Sequence, residues 1–113
     1  MYNQNDDLKY ALEYNTPENF KETDIIEIMA EIIGEHDGSN WWWVLKLEDN
    51  KFAVLSAGCD YTGWDCQSGI YFERVTNTAM EATELSPEID SERFVRRDLI
   101  RQLKGELPFG VFE

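Results

Sequence analysis

The segment WWWVLKLEDNKFAVLSAG, residues 41–58, constrains the fold more than any other part of the chain. Two apolar runs flank the dipeptide Asp49–Asn50, which predicts two antiparallel strands joined by a tight two-residue turn. In that register Leu45 lies opposite Val54. One face then carries Trp41, Trp43, Leu45, Leu47, Phe52 and Val54, and the other carries Trp42, Val44, Leu55 and Ala57. Because both faces are apolar, we expect further elements to cover each of them.

The preceding segment, DIIEIMAEIIGEHDG, has its apolar residues at the spacing of one helical face. This spacing favours a helix over residues 25–33, with Glu27, Glu31 and Glu35 along its solvent-exposed side. Asp24 resembles an N-cap residue, and a glycine follows the last isoleucine. Isoleucine is β-branched and also suits a strand, which is the alternative for this segment.

The rest of the chain predicts one more strand and two helices. The strand is QSGIYFERV, and a short helix capped by Thr78 follows it. A longer helix starts at Ser86–Pro87 or Asp90–Ser91 and ends at Gly105. Its core candidates are Phe94, Val95, Leu99 and Leu103, and its basic stripe is Arg93, Arg97, Arg101 and Lys104, with Arg96 beside it.

These elements predict one domain over residues 1–113. Its fold class is α+β, with a small antiparallel three-stranded meander packed against an N-terminal helix and one or two C-terminal helices. Residues 1–22 form a polar N-terminal segment, in which Leu8–Tyr14 can form short helical turns.

The charge of the chain limits its partners. The formal net charge is −13 at pH 7, and the acidic residues concentrate in residues 1–38. This charge argues against direct binding to nucleic acid and favours a protein partner with a basic surface. The segment MYNQNDDLKY lacks the basic and apolar regions of a signal peptide, and the longest apolar run, WWWVL, is too short to span a membrane. We therefore expect a cytoplasmic protein that contacts no membrane.

The segment AGCDYTGWDC, residues 57–66, predicts a second hairpin with its turn at Thr62–Gly63. Alternation places Asp60 and Asp65 together on one face. The other face carries Cys59, Tyr61, Trp64 and Cys66. Opposed carboxylates are destabilising unless backbone amides, a cation or an arginine offsets them. We expect the aspartates to cap the turn, and a ligand or partner site is the alternative.

The two cysteines are expected to be buried, reduced thiols without metal. Directly opposed cysteines could form a disulfide, but a cytoplasmic location argues against it. Zinc requires four ligands, and the chain has two cysteines and a single histidine, His36. The same histidine, beside Asp37, is the only imidazole that could activate a cysteine nucleophile.

Two long segments, EHDGSNWWWVLKLEDNKFAVLSAGCDYTGWDCQSG and RRDLIRQLKGELPFG, resemble a family of small uncharacterised bacterial and phage proteins. These segments are residues 35–69 and 96–110, and together with the short helix near Thr78–Leu85 that joins them they cover over half of the chain. The resemblance implies a shared fold and assigns no catalytic residue.

The sequence thus favours a small acidic protein without catalysis or cofactor, which docks on a basic surface of a larger protein. A phage-type inhibitor of a nucleic-acid-handling or host-defence protein, similar to an anti-CRISPR protein, is the narrower form of this hypothesis. The alternative is a ligand- or metal-binding domain, or a cryptic enzyme, centred on the Cys59–Cys66 hairpin. The candidate binding residues are Glu27, Glu31, Glu35, Asp37, Asp60, Tyr61, Trp64 and Asp65.

Overall fold

The structure is a computed structural model that describes residues 6–14, 22–35, 40–58, 70–85 and 94–111. Its elements are α1 (Asp6–Tyr14), β1 (Ile25–Ile32), β2 (Trp41–Leu47), β3 (Lys51–Ala57), β4 (Ile70–Thr76), α2 (Ala79–Leu85) and α3 (Val95–Leu103). The four strands form one antiparallel sheet in the order β1-β2-β3-β4. The predicted α+β class is confirmed, because strands β2 to β4 form the antiparallel meander and helices precede and follow the sheet.

The helix predicted for residues 25–33 is wrong, since residues 25–32 form the edge strand β1. The pairing of β1 with β2 is shifted at two points, between Ile25 and Glu27 and between Ile28 and Ala30. Each shift inserts an extra residue and reverses which face the following side chains occupy. Ile25 and Ile28 therefore join the core on one face, whereas Ala30 and Ile32 join the core on the other. Bulges and two buried faces together produced the helix-like spacing of apolar residues.

The register predicted for the β2–β3 hairpin is wrong by one residue. The connection is the three-residue loop Glu48–Asn50, so that Leu47 pairs with Lys51 and Leu45 pairs with Ala53. The loop places Asp49 at φ 64° and Asn50 at φ 56°, a region that Asp and Asn adopt more readily than most residues. Because side chains alternate between the two faces, this shift of one residue places the side chains of β3 on the faces opposite to those predicted.

Helices cover both faces of the sheet, as the apolar character of both faces predicted. On the first face, Leu8, Ala11 and Leu12 of α1 pack in one cluster with Ile25, Ile28, Trp41, Trp43, Leu45, Leu47, Ala53, Leu55 and Ala57. On the second face, Ala82 of α2 and Val95 and Leu99 of α3 pack with Ala30, Ile32, Trp42, Val44 and Val54. The predicted face of β2 is correct, but Val54 belongs to the second face, and Phe52 packs partly buried against the same cluster. The molecule therefore has a helix, a sheet and a helix pair as three layers.

The helix ends follow from local chemistry. Oγ1 of Thr78 accepts a hydrogen bond from the backbone N–H of Glu81 at 3.0 Å, which confirms the predicted N-cap of α2. At the end of α3, the N–H of Gly105 donates to the carbonyl of Gln102 at 3.1 Å, and the N–H of Glu106 donates to that of Arg101 at 2.8 Å. This pair of bonds is a Schellman motif, and Gly105 at φ 78° ends the helix as predicted.

The start of α3 differs from the prediction. The helix begins at Val95, because Phe94 has the left-handed backbone conformation, φ 68° and ψ 3°. Phe94 is consequently an exposed side chain at the N-cap and does not join the core, whereas Val95 and Leu99 are buried as expected. The two predicted helix starts lie outside the described residues.

Candidate functional site

Most of the predicted ligand hairpin lies outside the described residues. This applies to its candidate residues Asp60, Tyr61, Trp64 and Asp65, to the two cysteines, and also to His36 and Asp37. Their proposed roles therefore stay predictions. Within the residues that the structure does describe, no group of three or more His, Cys, Asp or Glu side chains is arranged to hold a metal ion.

The predicted stripe of Glu27, Glu31 and Glu35 does not form, because these residues lie in or just after a strand and not in a helix. Glu27 and Glu35 are exposed, but Glu31 is only 7% exposed. Its Oε2 atom accepts a hydrogen bond from the indole Nε1 of Trp43 at 2.8 Å. Glu31 thus satisfies a buried donor in the core, so a partner cannot reach it as it can reach the other two.

A second tryptophan on the same face has a similar bond. Nε1 of Trp41 donates to Oδ2 of Asp7 at 3.0 Å, which links β2 to the first turn of α1. A buried indole N–H normally has a hydrogen-bond partner, and here carboxylates from α1 and β1 supply it. Asp7 and Glu31, two of the acidic residues in the N-terminal part of the chain, therefore have structural roles.

The side-chain amide of Gln102 joins three parts of the molecule. Its Oε1 accepts from the backbone N–H of Glu31 at 2.9 Å and from that of Gly110 at 3.0 Å. Its Nε2 donates to the carbonyl oxygens of Glu31 at 2.8 Å and Val111 at 3.0 Å. Because a primary amide has the same donor and acceptor groups as a peptide unit, Gln102 takes the place of a neighbouring strand at the edge of β1. No sequence signal indicated this role, because a single glutamine in a helix has no characteristic spacing.

Exposed carboxylates gather at the end of the sheet where the β2–β3 hairpin turns. Glu48 and Asp49 are exposed in the loop. Because Ile25 pairs with Leu47, the start of β1 lies beside this loop. We define the acidic end as half-buried Asp24 and exposed Glu27, Glu48 and Asp49. Two lysines, Lys46 and Lys51, lie in the adjoining strand residues, so that carboxylates outnumber cations there. The sequence indicated the turn, but only the strand pairing brings Asp24 and Glu27 to it.

The basic residues have a different distribution. In the described part of the chain, the cations outside α3 and its C-cap are Lys9, Lys46, Lys51 and Arg74. The remaining four, Arg96, Arg97, Arg101 and Lys104, all lie in α3 or at its end. Nε of Arg97 is 3.0 Å from Oδ1 of Asp98, and the Arg97 guanidinium lies over the ring of Phe94, 4.2 Å from its centroid. Half of the described cations therefore lie in α3 or at its end, and the other half are distributed over α1 and the strands.

The geometry defines a small three-layered α+β protein with a group of carboxylates at one end of its sheet and four cations in or next to its last helix. No protein-family model matches the chain, and neither the curated proteins nor the solved structures contain a match. The resemblance to small bacterial and phage proteins therefore stays a prediction. Among the described residues, no helix has the length and apolar character needed to cross a membrane.

Proposed function

We propose that this protein acts without catalysis, by docking its acidic end onto a basic surface of a larger protein. The observation that carries the proposal is the excess of carboxylates over cations at the acidic end. The net charge is −13, and the acidic end holds four carboxylates against the two adjoining lysines, Lys46 and Lys51. Such a surface attracts and orients a cationic partner over distances of about one Debye length, roughly 8 Å at physiological salt.

A narrower form of the proposal names the class of partner. Proteins that handle nucleic acid carry cationic grooves, because they must neutralise phosphates. A small acidic protein that occupies such a groove blocks it, so we propose a phage-type inhibitor of a nucleic-acid-handling or host-defence protein, similar to an anti-CRISPR protein. Size and charge support this form.

A charge-reversal experiment tests the docking surface. The variant Glu27→Lys/Glu48→Lys/Asp49→Lys changes three exposed residues at the acidic end, and Glu13→Lys/Glu84→Lys/Glu106→Lys makes the same charge change at exposed residues elsewhere. Each chain is immobilised and exposed to a native lysate at low salt, and the retained proteins are eluted with salt and identified by mass spectrometry.

We expect the unaltered chain and the control to retain the same basic protein and to release it as salt rises, because screening weakens the attraction. The acidic-end variant should not retain it. Equal retention by both variants would show that the acidic end is not the docking surface. Retention that does not depend on salt would contradict electrostatic docking altogether.

A further inference from the structure

The outward side of α3 carries three cations and one aromatic ring, whereas the acidic end carries carboxylates. Phe94, Arg97, Arg101 and Lys104 follow the spacing i, i+3, i+7, i+10, which places them along one side of the helix. We call these four residues the α3 stripe. The opposite side of the helix carries the buried residues Val95, Asp98, Leu99 and Gln102. The stripe therefore faces away from the sheet, and its cations extend about 10 Å along the helix axis.

Two of these cations have an ordinary structural explanation. Arg101 and Lys104 lie in the last turn of α3 and at its C-cap, where positive charge complements the helix dipole. Nε of Arg101 also lies 3.9 Å from a carboxylate oxygen of Glu106. These two residues alone would indicate only a stabilised helix end.

Arg97 lies in the first turn, where the helix dipole disfavours a cation. Its position is nevertheless held from two sides, by the buried carboxylate of Asp98 at 3.0 Å and by the ring of Phe94. The Arg97 side chain remains 43% exposed, and Phe94 remains 44% exposed in a left-handed conformation that is uncommon for an aromatic residue. The fold thus holds a guanidinium and an aromatic ring together at the surface, and the same guanidinium pairs with the buried carboxylate of Asp98.

We infer that the α3 stripe is a second interaction surface and that it binds an acidic segment of a partner protein. The cations complement the carboxylates of such a segment, and the exposed ring of Phe94 offers an apolar contact beside them. A held arginine loses less side-chain freedom on binding than a mobile one. Nucleic acid fits less well, because its phosphates recur at short regular intervals and the stripe carries only three cations to neutralise them. This inference is independent of the acidic end, because it concerns a different surface and the opposite charge.

The test measures binding of a labelled, glutamate-rich peptide with a central methionine by fluorescence anisotropy at about 0.15 M salt. At this ionic strength, charges more than about 8 Å from the contact are largely screened. The stripe variant is Arg97→Gln/Arg101→Gln/Lys104→Gln, and its matched control is Lys9→Gln/Lys46→Gln/Lys51→Gln. Both remove three positive charges, but the control leaves α3 unchanged.

We expect the peptide to bind the unaltered chain and the control alike, and to bind the stripe variant about tenfold more weakly, as the loss of three exposed charge pairs predicts. The double variant Arg101→Gln/Lys104→Gln keeps the Arg97–Asp98 pair and should give an intermediate loss if the triple variant does not fold. Phe94→Ser should weaken binding without any change of charge. A peptide with glutamine in place of glutamate should bind less tightly than the original.

Three results would overturn the inference. The first is no peptide binding by the unaltered chain, and the second is an equal loss in the stripe variant and the lysine control. The third is tighter binding of a single-stranded DNA of equal charge, which would assign the stripe to nucleic acid. Light scattering at the same concentration detects dimers. If the unaltered chain and the lysine control form dimers and the stripe variants do not, the partner is a second copy of this chain.

Discussion

The amide of Gln102 connects the edge of the sheet, the last helix and the C-terminal turn at a single residue. Its four hydrogen bonds join α3 to the backbone of Glu31, Gly110 and Val111. An edge strand is otherwise open to pairing with other chains, and natural proteins protect such edges with bulges or covering segments. β1 has both kinds of protection, since two register shifts accompany the amide.

We therefore expect Gln102→Ala to lower the free energy of unfolding by about 2–4 kcal/mol, because it leaves several buried backbone groups without partners. Gln102→Glu keeps the shape, but a carboxylate cannot donate to the two carbonyl oxygens, so it should also destabilise. Urea unfolding measures both, with half-buried Arg101→Gln as a control that should change stability by less than about 0.5 kcal/mol. An equal effect of Arg101→Gln and Gln102→Ala would show that the amide bonds contribute little.

The two glutamates of β1 provide a second test at this scale. Glu31→Ala removes the acceptor of the buried Trp43 indole and should cost about 1–3 kcal/mol, whereas exposed Glu27→Ala should change stability by less than about 0.5 kcal/mol. Glu31→Gln retains an acceptor oxygen and should recover much of the loss. Thermal melts followed by tryptophan fluorescence measure all three. Similar small effects at both positions would instead agree with an exposed helical stripe.

At the scale of elements, α3 ends at the position that its sequence predicts, because Gly105 adopts the left-handed backbone conformation that ends a helix. Gly105 has φ 78°, and a Cβ at this position would meet no atom within 4 Å. Gly105→Ala should therefore cost about 1 kcal/mol through backbone conformation alone. Gly105→Asn should cost less, because asparagine tolerates the left-handed region. Chemical denaturation compares the two variants, and a much larger loss with alanine would indicate a steric contact that the structure does not contain.

At the scale of the whole molecule, helices on both faces of the sheet bury the tryptophans Trp42 and Trp43. Trp42 is 1% exposed on the second face and Trp43 is fully buried on the first. Trp42→Ala and Trp43→Ala should each cost about 3–5 kcal/mol, a large part of the stability of a domain of this size. Calorimetry or urea unfolding measures the two losses. If either variant melts within a degree of the parent, the corresponding face is not covered by its helix layer.

The sequence alone was sufficient for features that depend on neighbouring residues. The alternation of β2, the N-cap at Thr78, the stop at Gly105 and the apolar character of both faces are local, and all were predictable. The acidic character of the protein also follows from composition alone.

Tertiary structure decided the features that depend on distant partners. The isoleucines of residues 25–32 have helical spacing but β-branched side chains that also suit a strand, and only pairing with β2, with its two shifts, determines which of them face each layer. The hairpin register depended on a loop of three residues rather than two, a difference of a single residue. Glu31 and Gln102 are 71 residues apart, and no local pattern brings them together. Burial and hydrogen-bond partners across such separations arise from packing. For this reason the sequence predicts that Glu31 is a surface charge, whereas the folded protein has it in the core.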